Sequence, residues 1–142
     1  MVRASLPVRI ESVRPSAVYR GTVYTQDAVV SLDSGPAFEI YDYRTALSEA
    51  HIGTTQSVGL LVLLANVQQA AVDENGVTFD REKQPVFRGR VTDVDRTGDR
   101  PVGVLDVGVG TVLFYPDEAG WTVARGDSIR LSRTVRHLVL LH

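Results

Sequence analysis

A seven-residue phrase occurs twice in this chain, and internal repetition constrains a fold more than any single motif. Val29-Val30-Ser31-Leu32-Asp33-Ser34-Gly35 is echoed by Val102-Gly103-Val104-Leu105-Asp106-Val107-Gly108, 73 residues later. The same offset carries Gly53 onto Gly126, each at the head of an apolar segment. Upstream, Arg9-Ile10-Glu11-Ser12-Val13 is matched by Arg90-Val91-Thr92-Asp93-Val94 at an offset of 81, so the first copy has the longer early connection. If the repeat is real, Leu32 and Leu105 occupy equivalent buried positions, and Asp33 and Asp106 both serve turns.

The residues between these anchors read as strands. Val8 and Ile10 alternate with Arg9 and Glu11, and Ile129 and Leu131 alternate with Arg130 and Ser132. A period of two gives one buried and one wet face. Further strand candidates are 20–32, 37–43, 58–70, 86–95, 102–107, 109–115 and 134–141, with turns at 33–36, 73–76, 96–99 and 116–120. Asn75-Gly76 is the strongest turn signal, since both residues tolerate positive φ. One stretch reads as a helix: Thr45 caps 46–52 and Gly53 closes it.

Three strands, a short helix and further strands is the order of the OB-fold, a small barrel that often binds oligonucleotides. The expected fold is all-β and antiparallel. It comprises two tandem barrel-like halves, OB-like or split-barrel, at 1–80 and 81–142, with one short helix near 45–52. The two halves are packed closely enough to count as one domain. The segment 58–67 does not alternate, so both faces of that strand are apolar and need cover. Val58, Leu60, Leu61, Val62, Leu63 and Leu64 are therefore the candidate assembly interface, met by the sister half or by a second copy.

Composition narrows the function. With no cysteine, disulfides, thiol catalysis and thiolate metal sites are excluded, which fits a cytoplasmic protein. The longest apolar run, 58–65, is too short for a membrane helix, and no signal peptide is visible. His51, His137 and His142 are the histidines, and no nucleophile elbow, zinc-protease helix or phosphate-loop lysine is present. No catalytic residue, cofactor or metal ligand is assigned, and the chain is read as a non-enzyme. Residues 93–99 imitate the start of a calcium loop, but its twelfth position is Val104, so an acidic hairpin turn is the reading. The glycines of 103–110 precede a strand rather than a helix and suit a turn or bulge. Arg125-Gly126-Asp127 is read as a turn.

Arginine interleaved with tyrosine is the remaining signal, since single strands are gripped by stacking and by cations. Arg20, Tyr24, Tyr41, Tyr43, Arg44, Arg88 and Arg90 are the candidates. Charge speaks against them: residues 1–85 carry seven basic and ten acidic side chains, and 86–142 carry eight and seven. The leading expectation is a non-catalytic, self-associating interaction or assembly module. Single-stranded nucleic-acid binding is the alternative.

Overall fold

The computed structural model describes residues 2–33, 35–63, 65–133 and 138–142. It is nearly all β, with twelve strands and two single-turn 3-10 segments, Glu49–His51 and Pro116–Glu118. The strands are β1 (Leu6–Tyr19), β2 (Thr22–Ser31), β3 (Phe38–Asp42), β4 (Thr55–Val58), β5 (Leu60–Val62) and β6 (Ala65–Gln69). They continue as β7 (Gly76–Phe79), β8 (Pro85–Asp95), β9 (Val102–Asp106), β10 (Thr111–Phe114), β11 (Ser128–Arg133) and β12 (Leu138–Leu140). Among the described residues no helix is long and apolar enough to cross a membrane.

All twelve strands join one sheet in the order β4-β1-β2-β3-β12-β5-β10-β9-β8-β11-β6, with β7 pairing β8 off this path. That order reads the same from both sides of the β12–β5 pair: β4-β1-β2-β3 on one flank answers β11-β8-β9-β10 on the other. Register makes the match residue by residue. Arg9 faces Ser31 as Arg90 faces Asp106, and Ile10 faces Val30 as Val91 faces Leu105. Each first strand then skips one residue, so Ser12 faces Val29 as Asp93 faces Val104. Arg9 faces Thr55 as Arg90 faces Ser128 on the other side. The amide of Gly53 donates to Ile10 as that of Gly126 donates to Val91, both at 2.8 Å.

The upstream match at 81 and the Gly53–Gly126 match therefore stand, whereas the opening phrase is out of register by two residues. The counterpart of Leu105 is Val30, not Leu32. Both are fully buried, while Leu32 only packs against the core margin. Asp106 does serve a turn, accepting from the Gly108 amide at 2.8 Å, but its counterpart is Ser31 rather than Asp33. The two-residue error leaves every side chain on its own face, which is why the phrase reads plausibly in either register.

The antiparallel barrel is corrected in two respects. The sheet is not closed: its path ends at β4 and β6. Two short ladders are parallel, β10 with β5 and β12 with β3. Both arise because each fifth strand leaves its own half. After β4 the chain turns at Gly59 and β5 crosses to lie beside β10, while β12 crosses back to lie beside β3. The two crossing strands pair antiparallel with Val62 opposite Leu138. The expected strand 58–70 is thus three strands, and β6 and β7, although they precede residue 80, pair with β11 and β8 of the other half. The core is continuous across both halves, from Leu6, Ile10 and Ile40 to Phe87, Phe114 and Leu131.

The helix at 45–52 is also corrected. Asp42 is fully buried, and its carboxylate accepts the amides of Ala46 and Leu47 at 2.9 Å each, together with Gln26 Nε2 at 2.8 Å. This ties 45–48 into a loop. Thr45 sits at φ 51 with its hydroxyl bonded to the Arg44 carbonyl, so it caps nothing. Only Glu49–His51 winds, with the Ser48 amide donating to His51 Nδ1 at 3.0 Å. Gly53 does close the segment, at φ 82. Asn75-Gly76 does not join two paired strands: β6 and β7 belong to different ladders. The hairpin turn lies at 80–84, where the Asp80 amide donates to Gln84 at 3.0 Å.

Candidate functional site

An exposed apolar surface at the tip of the first hairpin is built by length alone. Ile10 to Val30 spans 20 residues and Val91 to Leu105 spans 14, so the first hairpin carries six more. The excess projects as an arm. β3 accompanies β2 only over Gln26–Val30, and β4 accompanies β1 only over Leu6–Arg9. Residues 15–25 therefore form a two-stranded ribbon with both backbone edges open. Arg20 and Gly21 close it with φ of 51 and 79, the two positive values that a tight hairpin of this twist requires. Val18 is 57% exposed, Tyr19 60% and Tyr24 56%. Tyr24 falls at a register shift of the ribbon, and Ser16 and Thr25 link its strands by a 2.8 Å hydroxyl pair.

Beside the arm's base lie two aromatics at the end of β3 and just after it. Tyr41 and Tyr43 have ring centroids 6.3 Å apart, and the Arg44 guanidinium stands 5.2 Å over the Tyr43 ring. Arg20 stands 5.3 Å over Tyr19 at the tip. Arg20, Tyr24, Tyr41, Tyr43 and Arg44 thus belong to one end of the sheet. Tyr19 belongs to the same surface, its exposed ring partnering Arg20. The sequence signal was there, in an aromatic next to a two-residue turn.

Arg88 and Arg90 do not join them. They lie on β8, separated from β2 along the sheet by β3, β12, β5, β10 and β9. Arg88 bonds the Thr78 hydroxyl, pairs with Glu74 at 3.7 Å and faces Arg130 across the ladder. Arg130 Nε is buried without a partner. The assembly row is used within the chain: Val58, Leu60, Leu61 and Val62 are all buried. Leu60 and Val62 join the main core, and Leu61 turns to a second cluster with Ala4, Val104 and Leu113, which Leu63 flanks. The sister half covers both faces, so this burial calls for no second copy. Leu64, Arg136 and His137 lie outside the described residues.

Two clefts share one pair of repeat-related residues each, an arginine and a hydroxyl residue, and differ in the rest of their lining. One, of about 620 Å³, is lined by Arg9, Ser31, Thr55 and Val77 among others. The other, of about 560 Å³, is lined by Arg90, Trp121, Asp127 and Ser128 among others. Arg9 answers Arg90 and Thr55 answers Ser128 in the ladders given above.

The remaining polar motifs are structural. Asp95 accepts from the Thr97 amide at 2.9 Å and from its hydroxyl, and these bonds hold its carboxyl below the usual carboxylate range. Asp127 accepts the Ala124 amide at 2.8 Å in the turn before β11, and the His142 ring lies 3.1 Å from the Ala4 carbonyl. Among the described residues no group of three His, Asp or Glu is placed to hold a metal ion. No protein-family model, curated protein or solved structure matches the chain.

Proposed function

We propose that the protein is a non-catalytic β module that self-associates, with the 15–25 arm as its assembly element and a second copy as its partner. One observation carries this reading: the arm presents two open backbone edges together with Val18, Tyr19 and Tyr24, each more than half exposed. A lone two-stranded ribbon is marginal in water, and open edges are templates for a further strand. Arm-to-arm pairing about a two-fold axis pairs one open edge of each arm with its copy and covers apolar surface. Each half is further read as an OB-like unit that has exchanged its fifth strand, supported by its three-strand meander and by a fourth strand returning beside the first. The lack of cysteine supports a cytoplasmic setting.

Sedimentation velocity across the micromolar range tests the proposal. The native protein is expected as a dimer, and Val18→Asp with Tyr24→Asp as a monomer with an unchanged circular dichroism spectrum. A native monomer throughout that range refutes it. A second reading, single-strand nucleic-acid binding, is favoured by the two arginine–tyrosine stacks at one end of the sheet. Its mark would be salt-sensitive anisotropy with short labelled strands, lost in Tyr24→Ala and Tyr43→Ala. No binding at low salt eliminates it.

A further inference from the structure

The repeat offers a comparison within one molecule, because the same arginine appears in two settings. In the first half, Arg9 Nε pairs with Glu11 at 3.2 Å, and Glu11 also accepts the Ser31 hydroxyl at 2.7 Å. In the second half the residue at the Glu11 position is Thr92, whose hydroxyl turns to the Val104 carbonyl at 3.5 Å. Arg90 keeps the posture of Arg9. A β-carbon at Gly53 would lie 3.9 Å from Arg9 Nη2, and one at Gly126 would lie 3.8 Å from Arg90 Nη2. What Arg90 lacks is a carboxylate within ion-pair distance among the described residues. Among the described residues its guanidinium has no ion pair or hydrogen bond. Two acids stand near, but Asp106 is bonded to the Gly108 amide and Asp127 to the Ala124 amide.

The cleft in front of Arg90 has about 560 Å³, within the range of small-molecule sites. Trp121, Ala70 and Val72 give it apolar wall, Gln69, Thr122 and Ser128 give it neutral hydrogen-bonding groups, and Asp127 is its one acidic lining residue, with its carboxylate on the Ala124 amide. We propose that this cleft binds a small carboxylic acid with a planar apolar body. The ligand's carboxylate pairs with Arg90 from the cleft, as Glu11 pairs with Arg9 from within the chain, and its body lies toward Trp121. Arg90 is exposed, so the pair rests on the match of guanidinium and carboxylate in shape and charge. The inference is independent of self-association, since no arm residue lines the cleft.

Trp121 is the only tryptophan of the chain and lines this cleft, so its fluorescence responds there; because it also borders a smaller cleft at Pro116 and Asp117, the amide spectra place the change. Sodium benzoate is the probe, benzamide its neutral isostere, and amide spectra of Gly126 and Asp127 the second readout. Benzoate is expected to give a saturable change in both readouts, and benzamide none. Arg90→Gln should weaken benzoate binding about tenfold or more, the loss expected for a charge-assisted pair. Thr92→Glu, which supplies the missing internal carboxylate, should block binding, while Glu11→Thr in the other half should leave the Trp121 response as in the native protein. Equal response to benzamide, retention of binding in Arg90→Gln or Thr92→Glu, or no change in either readout up to the solubility of benzoate would overturn the proposal.

Discussion

Asp42 holds the connection that replaces the expected helix, and its removal tests that account. It and Gln26 are the buried polar side chains among the described residues. Asp42→Ala deletes three hydrogen bonds. The Ala46 amide lies at the exposed surface and turns to water, and Gln26 Nε2 keeps the Leu47 carbonyl at 2.6 Å. The Leu47 amide is left buried and unpaired, which costs about 1–3 kcal/mol. Leu47 itself, 6% exposed, is loosened from the core, and half of its burial is worth about 1 kcal/mol. The sum is about 3 kcal/mol. Asp42→Asn keeps one acceptor and turns an NH₂ toward a donor, for a loss of about 2 kcal/mol. Urea unfolding at constant m-value measures both, and hydrogen exchange at Leu47 shows whether the loss is local. A destabilisation of Asp42→Ala under about 1 kcal/mol with Leu47 exchange unchanged would refute the reasoning.

Other outcomes follow from close packing and charge. Phe114 is fully buried in the main core, so Phe114→Ala should cost about 3–5 kcal/mol in the same assay. A β-carbon at Gly89 would lie 1.8 Å from the Asp106 carbonyl oxygen, so Gly89→Ala must move the β8–β9 ladder and should lower the melting temperature more than Gly120→Ala, where nothing is met. Arg100 donates to both carboxylate oxygens of Asp117, at 2.8 and 3.1 Å through Nε, and holds that carboxyl below its ordinary range. The folded-state value is the lower one, so this pair stabilises above the ordinary carboxylate range and its contribution is lost as pH falls through and below it. The native melting temperature should therefore drop more steeply than that of Arg100→Met below about pH 4, an effect kept small by solvent exposure of the pair.

Local pattern carried much of this fold. The alternation of Leu6, Val8 and Ile10, and of Ile129 and Leu131, comes from a period of two that any half-buried strand imposes. The match of Arg9–Val13 to Arg90–Val94 was legible because both segments bulge at the same place, and Gly53 and Gly126 were legible because each takes a positive φ, 82 and 96, that other residues avoid. The apolar run around Leu61 told correctly of cover on two faces. The helix was misread because Asp42, three residues before Thr45, competes for the same amides, and no helical periodicity registers that competition. The candidate surfaces were partly legible. Tyrosine and arginine near Arg20 read as a group, and Arg88 and Arg90, read on the first strand of the second half, lie apart from it along the sheet.

Sequence alone thus determined the β character, the alternating strands, the repeated segments around Arg9 and Arg90 and the extra length of the first hairpin, all of them matters of neighbouring residues. Tertiary structure decided which half each fifth strand completes. Leu60, Leu61 and Val62 bury the same apolar groups whether β5 stays with its own half or crosses to β10, so composition and period are silent on the choice. What separates the two is pairing between residues far apart in the chain, Val62 with Leu138 and Leu113 with Leu61. The same non-local pairing sets Arg90 beside Ser128 and Arg9 beside Thr55, and so makes two clefts of one motif.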